Sequence, residues 1–205
     1  MTGFFLAFEG GDGAGKSTQV ALVAERLNAL GHTVVTTREP GGSVVAEKIR
    51  DVVLDVAHLG LDDHAEALLF AASRAEHVSK TVRPALERGD VVITDRYMDS
   101  SIAYQGIARG LGLDTIRDLN LWATRGLVPD LTVVLDVNAT TGLERVEEPN
   151  RLEEESADFH QTVVAAFKTL AAADPARYIV IPAAGDREQI ADQILEAVIA
   201  RWSRT

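Results

Sequence analysis

Short apolar runs, rich in β-branched and aromatic side chains, recur at residues 4–8, 33–37, 91–94, 131–135 and 178–181. Runs this short and this continuously hydrophobic suit strands buried on both faces. The segments between them carry apolar residues at helical spacing, as in Leu22, Val23, Leu27 and Leu30, then Leu68, Leu69 and Ala72. The order β-α-β-α predicts a five-stranded parallel sheet flanked by helices, a three-layer α/β/α architecture. Gly31 is placed to end the first helix, Pro84 to kink or divide the long third helical region, and Pro129 to introduce the fourth strand.

With 205 residues and neither repeat nor linker, the pattern describes one domain over residues 1–205. Hydrophobic residues at 46% and charged residues at 25% mark a globular chain, neither disordered nor membrane-embedded. No apolar run nears the roughly 20 residues needed to span a bilayer, and the start of the chain lacks a basic segment and a cleavage site, so a cytoplasmic location is expected. The absence of cysteine removes disulfides, thiolate nucleophiles and cysteine zinc sites. A net charge of −11 argues against non-specific nucleic-acid binding, which depends on clustered Lys and Arg. A small anionic substrate would need a local island of positive charge, so the positions of the arginines carry the information.

Directly after the first predicted strand stands Gly10-Gly11-Asp12-Gly13-Ala14-Gly15-Lys16-Ser17-Thr18, which matches G-x-x-x-x-G-K-[ST] between a strand and a helix. Glycines let backbone N–H groups approach phosphate oxygens, and the following helix turns its positive end to the same anion. Lys16 is placed to reach the β- and γ-phosphates of ATP, and the Ser17 hydroxyl to bind Mg2+. The plain alternative, a glycine-rich turn without a ligand, does not account for the complete motif in its strand–loop–helix setting. The fold expected is therefore a P-loop NTPase fold.

In open parallel sheets ligands sit beyond the carboxyl ends of the strands. The third strand ends in Asp95-Arg96-Tyr97. Asp95 is a metal candidate beside the P-loop or else a strand cap, and Arg96 is a phosphate-binding fork or else a surface ion pair. The second strand ends in Thr37-Arg38-Glu39-Pro40-Gly41-Gly42, so Arg38 and Arg96 could converge on one phosphate. Phe70 and Arg74 are four apart and share a helix face, which suits an aromatic platform and a fork on one base. A core phenylalanine with a solvated arginine fits that spacing equally. Ser100-Ser101-Ile102-Ala103-Tyr104-Gln105-Gly106 concentrates hydroxyl and amide groups that could read sugar and base edges, and by itself reads as helix capping.

Phe8-Glu9-Gly10 with the P-loop, Thr37 to Gly42, Leu69-Phe70 with Arg74 and His77, Asp95-Arg96-Tyr97, Ser100-Ser101 and Ala103-Tyr104-Gln105-Gly106 together resemble the thymidylate kinase family, in order over most of the chain. The resemblance implies a homodimeric enzyme converting dTMP and ATP to dTDP and ADP. It implies that Phe70 stacks on thymine, that Arg74 bonds a thymine carbonyl, and that Ser101 and Gln105 help fix the base. Arg38 and Arg96 would clamp the dTMP phosphate, Asp12 would bond the sugar 3′-hydroxyl, and Tyr104 would crowd the 2′ position. No general base is required, since a phosphate monoester with a second pKa of about 6 is already a dianionic nucleophile at neutral pH. His32, His58, His64, His77 and His160 show no metal-binding spacing and are expected to be structural, with His77, near Arg74, the candidate exception.

The chain departs from the family in its lid. Members whose P-loop lacks arginine carry an arginine-rich lid over ATP, whereas residues 144–156 here hold only Arg145 and Arg151 among Glu144, Glu147, Glu148, Glu153, Glu154 and Glu155. Arg151 is the candidate for stabilising charge on the transferring group, with Arg145 second and a solvated lid surface the alternative. Two rivals remain: a deoxynucleoside kinase with Glu39 as base for a sugar hydroxyl, and a non-catalytic ATP-binding switch.

Overall fold

The computed structural model describes residues 3–147 and 149–202. Glu148 of the lid lies outside the described residues. Among the described residues five strands form one parallel sheet in the order β2-β3-β1-β4-β5: β1 is Phe4–Gly10, β2 Val34–Arg38, β3 Val91–Asp95, β4 Leu131–Asp136 and β5 Tyr178–Pro182. Period-two alternation splits β1 between two cores. Phe4, Leu6 and Phe8 pack with Val23 and Leu27 of helix α1 (Lys16–Ala29) and with Ile194 and Val198 of the C-terminal helix. Phe5 and Ala7 face the other way, toward Val78, Val82 and Tyr97.

Burial on both faces holds for β1 and nearly throughout β3 and β4, but not for β2 and β5. Those two are the edges of the sheet, where one side of each strand meets solvent. The first helix stops as the glycine dictates. Gly31 takes φ +89° just past Leu30, and His32 N–H donates to Leu27 O.

The remaining helices are α2 (Val44–Leu54), α3 (Asp63–His77), α4 (Arg83–Glu87), α5 (Met98–Ser101), α6 (Leu113–Thr124), α7 (Ala139–Leu143), α8 (Ala157–Ala173) and α9 (Arg187–Trp202). Pro84 divides the third helical region as expected. Its ring would clash with the carbonyl one turn back, and a wide π-helical turn at Val78–Val82 opens the ladder between α3 and α4.

The apolar spacing that predicts α3 does give a helix, but Leu68 and Ala72 do not mark its buried face. Leu68 is 58% exposed and Ala72 is also exposed, while Glu66, Phe70, Arg74 and His77 are buried. Ala67 and Ala71 are buried with them, so this helix turns a mixed polar and apolar face inward, from which Phe70 and Arg74 reach a cleft. The capping reading of residues 100–106 is likewise replaced, since that stretch is buried inside a helical run formed by α5 and wide turns through Ala108. Its N-terminus is closed by a residue from β1: Glu9 Oε1 accepts from the N–H groups of Tyr97 at 2.9 Å and Ser100 at 3.0 Å. Among the described residues no helix is long and apolar enough to cross a membrane.

Candidate active site

The phosphate loop runs from the end of β1 into the first turn of α1, with Gly15 at φ +85° as the entry residue. Gly13 takes φ +68°, and a Cβ there would lie 1.9 Å from Gly142 O of α7. A Cβ on Gly142 would in turn lie 2.2 Å from Asp12 O. The loop and α7 therefore meet backbone to backbone.

Lys16 Nζ donates to Gly11 O at 2.8 Å and Gly10 O at 3.2 Å. Burial first, then the neighbouring Arg96 charge, push its pKa down to about 8. Ser17 Oγ donates to Asp95 Oδ2 at 2.7 Å, which joins the first turn of α1 to the tip of β3.

Arg96 follows Asp95 with φ +69°, a left-handed conformation that costs a non-glycine residue roughly 1–2 kcal/mol. That turn sends the guanidinium back under the phosphate loop. Nη2 pairs with Asp12 Oδ1 at 2.5 Å, and Nη1 donates to Ser100 Oγ at 3.0 Å and Gly10 O at 3.2 Å. Tyr104 Oη donates to Asp12 Oδ2 at 2.7 Å. Burial alone would raise the Asp12 pKa, but Arg96, Lys16, the Tyr104 hydrogen bond and His160 together outweigh it and hold the carboxyl below its ordinary value. Glu9 is fully buried and lies near Asp99, and these two causes, burial the larger, raise its pKa to about 7.

These groups border a cleft of about 280 Å³ beyond the tips of β1, β2 and β3. Asp12, Arg38, Phe70, Arg74, Arg96, Ser101, Tyr104 and Gln105 all line it, with Lys16, Ser17 and Asp95 at the P-loop end. Arg38 is half exposed and pairs with Glu47 at 2.9 Å. Arg74 is almost fully enclosed. Its Nε donates to Glu39 Oε2 at 2.6 Å, Nη1 to Ser101 Oγ at 2.9 Å and to Asn120 Oδ1, and Nη2 to Tyr97 O at 3.0 Å. Both Glu39 oxygens are engaged, because His77 Nδ1 lies 2.8 Å from Oε1. His77 Nε2 lies 2.8 Å from Thr37 Oγ1, so this histidine is built into the wall behind the cleft.

A second cleft opens on the opposite side of the phosphate loop, lined by Ala14, Gly15, Thr18, Arg145, Gly185 and Arg187 among others. The two lid arginines part company here. Arg145 Nη1 donates to Gly13 O at 3.1 Å. Arg151, the first-choice lid residue, is buried away from the loop, with Nη2 on Glu66 Oε2 at 2.6 Å and Nε on Val53 O at 2.9 Å. A buried carboxylate on α3 requires a cationic partner, and Arg151 supplies it.

The structure adds residues that motif reading passed over. Arg50, Leu54, Asn150, Leu152 and Glu153 line the first cleft, and Glu66 and His160 stand behind it. Glu66 was open to discovery, since it sits one helical turn before Phe70 and two before Arg74. Nothing local marked Arg50.

A family model described as thymidylate kinase matches residues 8–194. The chain is 54% identical over 199 residues to the thymidylate kinase of Clavibacter sepedonicus, covering 95% of this chain and 93% of that protein. It is 46% identical to that of Limosilactobacillus fermentum, over 99% and 98% of the two chains. The crystal structure of thymidylate kinase from Ehrlichia chaffeensis superposes with a TM-score of 0.82 at 32% identity, covering 97% of this chain and all of that one. Fold, phosphate loop and sequence relatives agree, and the chain belongs to the thymidylate kinase family.

Proposed function

We propose that this kinase transfers the γ-phosphoryl group of ATP to dTMP, giving dTDP and ADP. The observation that carries the reading is the convergence of all eight acceptor candidates, from five separate stretches of chain, on one cleft that meets the phosphate loop at Arg96 and Lys16. ATP lies along the P-loop, with its base in the second cleft. dTMP lies in the first, its ring against Phe70, its base edge at Arg74, Ser101 and Gln105, its 3′-hydroxyl at Asp12 and its phosphate between Arg38 and Arg96. Tyr104 closes the 2′ side of the sugar.

The dTMP phosphate needs no base to activate it, so the side chains act by orientation and charge. Lys16 and Arg96 draw together the two anions whose repulsion would otherwise keep the reacting atoms apart. Among the described residues no group of three or more acidic or histidine side chains is set to hold a metal alone. A hydroxyl and a carboxylate 2.7 Å apart do fit Mg2+, which takes few protein ligands and completes its shell with phosphate oxygens and water. Ser17 and Asp95 would hold it, and when bound it offsets charge on the transferring group. Arg145 adds a cation at the loop, and residues 144–156 form the lid over the donor. Arg151 supports that lid from the acceptor side.

A cytoplasmic homodimer completes the reading. Helix α3 packs against both α2 and α6, and the three leave Val45, Val52, Leu68 and Trp122 facing solvent. A screen of all nucleoside monophosphates with ATP and magnesium tests the function, and turnover is expected with dTMP. Phosphorylation of thymidine but not dTMP would favour a nucleoside kinase, although both Glu39 oxygens are already taken. ADP release independent of any acceptor would favour a switch.

A further inference from the structure

Gln105 and Glu66 meet behind the base end of the acceptor cleft, with Gln105 Nε2 donating to Glu66 Oε1 at 2.8 Å. A carboxylate has lone pairs and no N–H, so only the amide nitrogen of Gln105 can face it. The other end of the amide, the carbonyl oxygen, is then the group Gln105 offers to the cleft that it lines.

Glu66 is itself fully buried on α3 and held from two sides. Arg151 Nη2 reaches its Oε2 at 2.6 Å, and Arg109 Nη2 reaches the same oxygen at 3.2 Å. Arg109 is tied further to Glu155 at 2.6 Å. The carboxylate is thus fixed in place and in its acceptor role by two guanidinium groups, one from the wide helical run's end and one from the lid's end.

Beside Gln105, Arg74 has four of its five N–H donors committed to Glu39, Ser101, Asn120 and Tyr97. The remaining one is on Nη2, and Arg74 also lines the cleft. The wall therefore presents a donor and an acceptor side by side. A pyrimidine with a carbonyl at position 4 and N–H at position 3 complements both. An aminopyrimidine presents the reverse order, an amine at position 4 and a bare ring nitrogen at position 3, and meets two mismatches.

We infer that Glu66 is a specificity-determining positioning residue, which locks the amide polarity of Gln105 and so selects an imide-bearing pyrimidine against its 4-amino counterpart. The inference rests on the acceptor reading above, in which Gln105 meets the base. It assigns the choice of base to a side chain that never touches the nucleotide, and it explains why a lid arginine is buried behind the acceptor cleft.

The test is the ratio of kcat/KM for dTMP to that for 5-methyl-2′-deoxycytidine monophosphate, which differs from dTMP only at the imide edge. In Glu66→Gln the partner can accept or donate, Gln105 is free to turn over, and the ratio is expected to fall by on the order of tenfold or more, mainly through KM. In a Gln105→Met background the same change should leave the ratio where Gln105→Met alone puts it, because the effect runs through Gln105. General damage to the fold would lower both rates and spare the ratio. Glu66→Asp keeps the charge for Arg109 and Arg151 while drawing the carboxylate back from Gln105, and it decides the matter if Glu66→Gln does not fold. An unchanged ratio in whichever Glu66 variant folds overturns the inference. Failure of the unmodified protein to phosphorylate dTMP overturns the acceptor reading instead.

Discussion

Arg96 Nη2 lies 2.5 Å from Asp12 Oδ1, so the phosphate loop and the segment after β3 are joined by one ion pair at the mouth of the acceptor cleft. The same guanidinium also touches Gly10 O and Ser100 Oγ. A single side chain thereby ties the phosphate loop to one wall of the cleft.

Arg96→Ala is expected to lower kcat/KM for dTMP by roughly 3 kcal/mol, over a hundredfold, on the scale of a lost charge-assisted clamp. Near-normal dTMP kinetics in that variant would remove Arg96 from the site. Arg96→Gly should be as inactive yet more stable than Arg96→Ala by roughly 0.5–1 kcal/mol, since glycine accepts φ +69° without strain. Equal melting temperatures for the two variants would show that the backbone is not strained there.

Buried Glu9, with its pKa raised from 4.5 to about 7, binds a proton more readily in the folded than in the unfolded chain. Its contribution to stability is complete below pH 4.5 and is lost as pH rises through 7. Glu9→Gln should abolish that slope, a difference on the order of 3 kcal/mol between the ends of the window. Parallel melting curves for the two proteins from pH 4.5 to 7.5 would contradict it.

Lys16 shifts the other way, to about 8. The unfolded chain then holds the extra proton between about pH 8 and 10.5, so this lysine contributes a rise in stability with pH across that range. Its charge in the free protein is lost around pH 8, and kcat/KM for ATP is expected to fall as pH rises through that value. A flat profile to pH 9.5 would count against a lowered lysine.

The lid arginines should separate cleanly. Arg145→Ala, at an exposed residue on Gly13 O, is expected to reduce kcat with little change in melting temperature. Arg151→Ala removes a buried partner of Glu66 and should cost about 3–5 kcal/mol of stability. Reversed effects would return Arg151 to the transferring phosphate.

Asp95→Asn should raise the magnesium concentration needed for half-maximal turnover by about tenfold or more, since the amide oxygen is a weaker ligand for a hard cation. Chelation by EDTA should abolish turnover of the unaltered protein. Activity persisting in EDTA would rule out the metal.

The sheet was legible because strand runs and the phosphate motif are local patterns, and Gly31 and Pro84 act on their own neighbours. The acceptor candidates were legible only as blocks, since Arg38, Phe70 and Arg96 come together through tertiary contact. The helix α3 was legible but its buried face was not, as Leu68 and Ala72 point to solvent while Glu66 and Arg74 point inward. The burial of Arg151 was illegible for a related reason. Its partner Glu66 lies 85 residues away, and no spacing rule connects the two.

The backbone contact between Gly13 and Gly142 makes two distant positions a single steric unit. With no side chain between them to compress or swing aside, a shift of α7 by a few tenths of an ångström must move the nucleotide-gripping turn by a similar amount. Helix α7 and the phosphate loop are mechanically one piece, and a side chain at either glycine would drive the two apart.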